Sequence, residues 1–173
     1  VSWPELLAEA RQGSALRASA AHGERHWRAV AAVGLRIARA DARVAADICV
    51  AFAVLHDCRR VSETRDPLHG AAAARVARGS TVLPALLGPS RADLVAEACR
   101  HHNGGAPRPD QPLVGACFDA DRFTLGRVGI DPQPRFFSVI RKQPDFAAML
   151  RFAERVSDAP PDWPEIFASL GSA

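Results

Sequence analysis

The residues best suited to chemistry are an adjacent pair, His56-Asp57, at the end of the apolar run Ile48-Cys49-Val50-Ala51-Phe52-Ala53-Val54-Leu55. Cys58 and two arginines, Arg59 and Arg60, follow directly. A histidine and an acid at the end of a buried segment are costly unless something pairs with them. A divalent metal would do so, since imidazole and carboxylate are both common ligands. Neighbouring side chains on a helix point about 100° apart, yet His reaches further than Asp, so both can converge on one ion. The negative end of the helix dipole favours a cation at the same place. The pair alone also allows a plainer alternative, a buried histidine capped by its neighbour. Four other positions weigh against that.

The elements that must position this pair are helical. The apolar run is hydrophobic on every side, as in a helix through the middle of a core. The Ala-rich stretch upstream, from Asp41, carries it past strand length. Earlier in the chain His26, Val30, Val33 and Ile37 fall at i, i+4, i+7 and i+11, so His26 takes the inward face at the start of a helix. His22 lies four residues before it, with Gly23 placing it at or before that start. A zinc-protease HxxxH helix carries Glu after the first His; Gly23 stands there instead, which excludes that chemistry.

Downstream, Asp66-Pro67 predicts a helix with Asp as N-cap and Pro in the first turn. His69 falls in that turn, Ala73 and Val76 continue its face, and Gly79 ends it. Gly88-Pro89 breaks the chain, and Ser90-Arg91-Ala92-Asp93 predicts a further helix start with an acidic variant of the capping box. That helix leads into His101-His102. Val95, Cys99 and His102 form one stripe and Leu94, Ala98 and His101 the adjacent one, so periodicity does not choose between the two histidines. A helix is predicted from Leu113 to Leu125, with Val114, Cys117, Phe118, Asp121 and Leu125 on one face. Asp119 falls off that stripe, three residues from Arg122, with which it can pair. An unpaired buried carboxylate is expensive, so Asp121 is preferred over Asp119 as a site residue.

The remaining chain frames these segments. Ser2-Trp3-Pro4-Glu5 has the form of a capping box before a short helix to about Arg11. The stretch 103–112 is flexible or surface-running, and 126–137 reads as an irregular surface crossing. A closing helix is predicted over 146–156, and 159–173 reads as a tail packed through Trp163. With no repeat, no low-complexity tract and no convincing strand pattern, the expected architecture is all-α and single-domain. Its expected parts are an N-terminal helix and connection over 1–21, a helical domain over 22–157 and a C-terminal tail over 158–173. The net charge of +3 on 173 residues is mild and no block of like charges occurs, which argues against nucleic acid or an anionic membrane as partner. Lys142 is the sole lysine, so the basic residues are almost entirely arginine. Cys49, Cys58, Cys99 and Cys117 form no CxxC pair and read as buried thiols in a reducing compartment. Without a membrane-spanning run or a signal-peptide pattern, the expected location is cytoplasmic.

The order His26, then His56-Asp57, then Asp121 resembles the HD-domain metal-dependent phosphohydrolase superfamily over residues 22–125. The motifs that carry it are His26-Trp27 with Val30, Leu55-His56-Asp57, and Ala120-Asp121-Arg122-Phe123. The last looks like the family's closing Ala-Asp-Arg-Leu, with Phe123 where Leu is common. His69 in Asp-Pro-Leu-His-Gly and His102 before Asn103-Gly104 are similar to two extra histidines of the binuclear branch, which selects His102 over His101. The resemblance implies an HD-type helical bundle with a metal site between helices. One divalent ion would take His26, His56, Asp57 and Asp121, and Asp57 would bridge to a second ion on His69 and His102. The metal could be Fe, Mn, Mg, Zn, Co or Ni. His56 and Asp57 would be catalytic, and Arg59, Arg60 and Arg122 would be phosphate-clamp candidates. His22, His101 and Asp119 would be neighbours supporting the ligands. The implied activity is hydrolysis of a small phosphate ester, a nucleotide above all, by a metal-activated water. The implied partner is a small molecule, with a homodimer as one open assembly. The alternatives from other classes are a diiron oxygenase like the inositol oxygenase branch, and a catalytically silent metal- or nucleotide-binding domain.

Overall fold

The run at Ile48–Leu55 is a helix, and every one of its side chains is buried. It belongs to α3 (Ala46–Leu55), in a computed structural model that describes residues 1–142 and 144–171. The other α-helices among the described residues are α1 (Trp3–Arg11), α2 (Glu24–Ala40), α4 (His69–Gly79), α5 (Val82–Leu87), α6 (Pro89–His101), α7 (Pro112–Phe123), α8 (Asp145–Asp158) and α9 (Trp163–Ala168). Two 3-10 turns, Leu125–Val128 and Pro134–Phe136, interrupt the segment between α7 and α8. No strand occurs among the described residues, so the fold class is all-α, as the hydrophobic periodicity predicts.

The core is built on α3. Being apolar all round, it is covered by α1, α2, α6 and α7, and each large aliphatic or aromatic residue buried there contributes roughly 1.5–3 kcal/mol. Two glycines set how close the neighbours come. A Cβ at Gly34 of α2 would lie 2.6 Å from Cys49 Cβ of α3. A Cβ at Gly70 of α4 would lie 2.7 Å from the Cys99 carbonyl oxygen near the end of α6. The second approach brings the start of α4 against the end of α6. The four cysteines are buried, free thiols. No helix among the described residues is long and apolar enough to cross a membrane.

Several predicted helix starts are displaced, each for a local reason. Helix α4 begins at His69 with Leu68 as N-cap, not at Asp66-Pro67. The Asp66 carboxylate instead accepts the Val61 N–H at 2.8 Å and closes the 61–66 loop. Helix α6 begins at Pro89 after Gly88, whose φ of +81° favours glycine, so Ser90 lies inside the helix and caps nothing. Ser2 is the N-cap of α1, but its side chain makes no cap bond. A full capping box forms at the other end of the chain, where Asp162 and Glu165 start α9. There Trp163 is buried and its indole N–H donates to Glu24 at 2.9 Å.

Candidate metal centre

Five of the six histidines converge on Asp57. His56 is the C-cap of α3 and His102 the C-cap of α6, where the last-turn carbonyls lack helical partners. Each ring uses that: His56 Nδ1 lies 3.0 Å from the Ala53 oxygen and His102 Nδ1 lies 2.8 Å from the Cys99 oxygen. His69, at the start of α4, does the same with the Asp66 oxygen. A carbonyl only accepts, so in all three rings Nδ1 is the donor, and in the neutral ring Nε2 carries a lone pair. Phe52, one turn before His56, stacks on that ring at 5.0 Å and meets His102 edge-on at 5.7 Å, which holds both orientations.

The Nε2 atoms point at one another and at two carboxylates. On one side His26 and His56 Nε2 are 3.1 Å apart, and Asp57 Oδ2 is 3.7 Å from each. Asp121 Oδ1 stands 3.3 Å from His26 Nε2 and 4.0 Å from His56 Nε2. On the other side His69 and His102 Nε2 are 2.9 Å apart, with Asp57 Oδ1 at 3.2 and 3.6 Å. Asp57 thus offers one oxygen to each group. His22, buried at the mouth of this cluster, lies with Nε2 3.2 Å from the Glu63 oxygen and Nδ1 3.6 Å from Asp57 Oδ2.

This donor set fits a metal. Ligand bonds of about 2.0–2.2 Å place adjacent donors of one ion about 3.0–3.5 Å apart, and these pairs span 2.9–4.0 Å around that range. Two lone pairs 2.9 Å apart, at His69 and His102, repel unless a cation or a proton lies between them. Asp57 Oδ1 and Asp121 Oδ1 are buried carboxylate oxygens without a hydrogen-bond partner among the described residues, a costly state that a cation relieves. His26-His56-Asp57 and Asp57-His69-His102 each form a triad able to hold an ion.

The electrostatics agree. Burial holds His26 down to about 3, with Arg127 acting in the same direction, and holds His56 down to about 4. Both are therefore neutral and able to ligate at physiological pH. Burial opposes ionising Asp57, but the surrounding histidines, His56 first, hold it well below the usual carboxylate range. Asp121 is likewise held low by His26 and Arg127 against the cost of burial.

Other residues singled out from the sequence have different placements. His101 is exposed while His102 is buried, so His101 supports no ligand. Arg59 turns away, donating to the carbonyls of Ala10 at 3.1 Å and Cys58 at 3.0 Å, and does not line the cavity over the cluster. Arg60 and Arg122 border a cavity of about 600 Å³ that opens over Asp57, His69, His102 and Asp121. Both are tied to backbone. Arg60 donates to Ser62 O and Thr64 O, each at 2.9 Å. Arg122 donates to Phe136 O at 2.6 Å and to Gly105 O, joining the two loops that flank the cavity. Asp119 is not a surface partner of Arg122 but is fully buried. It accepts the backbone N–H groups of Ser138 and Val139 at 2.7–3.0 Å. The stripe of apolar positions misplaces it because the 137–140 segment covers that side of α7 with its own buried residues, Phe137 and Ile140.

One residue beside the centre was not singled out at all. Arg127 lies in the segment read as an irregular crossing, one short turn past α7, with its Nη2 3.9 Å from Asp121 Oδ1. The one signal for it is an arginine six residues beyond the site acid.

Searches of curated proteins and of solved structures each returned no match. Residues 23–126 match the family model of the HD domain, a span that runs from the N-cap of α2 past Asp121 and includes both histidine triads. With that span, the all-helical bundle and the buried His-Asp cluster between its helices, the chain belongs to the HD-domain family.

Proposed function

We propose that this HD domain is a metal-dependent phosphohydrolase whose substrate is a small phosphate ester, a nucleotide above all. The observation that carries the reading is Asp57, whose two oxygens serve two histidine pairs from four different helix ends. His26, His56, Asp57 and Asp121 would hold one divalent ion, and His69 and His102 would hold a second that shares Asp57. Bound there, such ions supply a water of lowered pKa and Lewis-acid contact to phosphoryl oxygens.

The chain's own residues do the rest. The carbonyl bonds to His56, His69 and His102 keep the ligating nitrogens free and aimed inward. The cavity over the cluster has a volume suited to a small organic ligand. Its lining combines a cationic set, Arg60, Arg122 and Arg127, with an apolar set, Val128, Ile130 and Phe136, which are exposed. A molecule with an anionic head and a less polar remainder, as a nucleotide has, matches both sets.

The test is to strip the protein of metal, reload it separately with manganese, magnesium, zinc, cobalt, nickel and iron, and assay phosphate release from a panel of nucleotides and simple phosphate esters. Release that vanishes in Asp57→Asn is the expected result. Turnover seen only with iron and dioxygen, and none on the panel, would replace the hydrolase reading with an oxygenase.

A further inference from the structure

We infer that Arg127 binds a phosphoryl oxygen of the substrate directly; the inference rests on the hydrolase reading and names a residue for that same site. A guanidinium has five N–H donors in a fixed plane. In Arg127 three are committed to the protein: Nε–H to Ala21 O at 2.7 Å, and Nη1 to Thr124 O and Thr124 Oγ1, both at 3.0 Å. These bonds fix the plane of the group. Nη2 remains, and it makes no hydrogen bond among the described residues. Its nearest acidic atom, Asp121 Oδ1, is 3.9 Å away, too far for a hydrogen bond. The side chain is only 12% exposed, and what exposure it has includes the wall of the cavity above the cluster.

The charges support an anionic ligand at that atom. The cluster provides neutral imidazoles and two carboxylates, Asp57 and Asp121. Two divalent ions would exceed the two carboxylates by two positive charges, and Arg127 adds one more in a place with little solvent screening. A buried cation beside an already positive centre is repelled at such range. A phosphoryl group, with two negative charges and oxygens that accept from guanidinium, cuts that excess from three positive charges to one. The other arginines at the cavity are less available. Arg60 and Arg122 each spend two donor groups on loop carbonyls, and Arg59, which lies outside the cavity lining, faces α1. Arg127 is the one held rigidly with a whole NH₂ group to spare.

The experiment measures binding of inorganic phosphate, by calorimetry, to the manganese-loaded wild-type protein and to Arg127→Met and Arg127→Lys, beside metal content and melting temperature. Phosphate affinity should drop about tenfold or more in Arg127→Met with metal content unchanged, and recover in part in Arg127→Lys. On a hydrolysed ester, kcat/KM of Arg127→Met should fall by about 10²–10³, and millimolar methylguanidinium should restore part of it. If Arg127→Met does not fold, Arg127→Gln, which can still donate to Ala21 O, takes its place with the same expected loss. Wild-type phosphate affinity in the neutral variant overturns the inference, as does a loss of metal that accounts for the loss of phosphate. Ester hydrolysis with phosphate affinity insensitive to residue 127 removes Arg127 alone and leaves the hydrolase standing. A wild-type protein that neither hydrolyses esters nor binds phosphate removes the hydrolase reading, and the inference with it.

Discussion

Around His26 and His56 the centre has two carboxylates and a nearby arginine, whereas His69 and His102 meet across a single oxygen of Asp57. The two sides also differ in their protons. His26 Nδ1 has no partner among the described residues, so its tautomer is free, and its Nε2–H can donate to Asp121 or to His56. That side can avoid two facing lone pairs without any ion, although buried polar atoms there stay unpartnered. On the other side both Nδ1 atoms are committed to backbone carbonyls, and two lone pairs face each other at 2.9 Å. It must take up a cation, either a metal or a proton. Burial opposes a charge on His102, yet the Asp57 carboxylate beside it raises its pKa above the usual value. The demand for a cation is thus strongest where carboxylates are fewest, because it is set by tautomer and not by charge alone.

The sharpest way to break this comparison is to remove what the two sides share. Asp57→Asn should release metal from both triads and reduce phosphatase activity by more than about 10³-fold, with circular dichroism unchanged. Next in size are single-side variants. Elemental analysis should show His69→Ala and His102→Ala each losing one equivalent of metal while keeping the other, and His26→Ala losing the complementary one. Wild-type stoichiometry in His69→Ala and His102→Ala would mean that the second pair serves substrate or packing.

The neighbouring acids of α7 separate ligation from folding. Asp121→Ala should lose metal with little loss of fold. Asp119→Ala should keep metal but lose about 2–4 kcal/mol in denaturant unfolding, since it strands a buried and a part-buried backbone donor. The smallest effect is in acid. His26 and His56, held at about 3 and about 4 by burial, titrate near 6.5 when unfolded. The unfolded chain therefore takes up protons that the fold refuses. Stability is complete above about pH 6.5 and declines as pH falls toward 4. His69, lowered by burial, adds to this, while His102 and Asp119, the latter pushed up to about 6, oppose it in part. The metal-stripped protein should melt several degrees lower at pH 5 than at pH 7.5. A rise would reverse the assignment of neutral histidines.

What the sequence revealed and what it hid follow from the range of the interactions. The apolar run ending in His56-Asp57 and the stripe beginning at His26 are local patterns, and the structure contains both as helices α3 and α2. Helix starts were less legible, because Asp66 serves a loop amide five residues back instead of its own helix. The contrast between Asp119 and Asp121 was hidden for a longer-range reason. Nothing near Asp119 in sequence announces that residues 138 and 139 fold over it. Arg127 was hidden likewise, since its bond to Ala21 spans 106 positions. The tie between His101 and His102 was broken by family likeness alone, and the burial of His102 against an exposed His101 shows what periodicity lacked.

The close seat of Gly70 on the Cys99 carbonyl bears on which ion the second triad would prefer. Because a Cβ there would stand only 2.7 Å from that oxygen, a single methyl group would push α4 off α6 and move His69 away from His102, which is anchored to the same carbonyl. The separation of the two imidazoles is therefore a calliper set by one hydrogen atom. A small first-row ion needs donors about 2.0–2.2 Å away, while calcium sits at about 2.3–2.6 Å and favours oxygen. Gly70→Ala would open the calliper, favour larger ions, and leave the Asp121 side with its original preference.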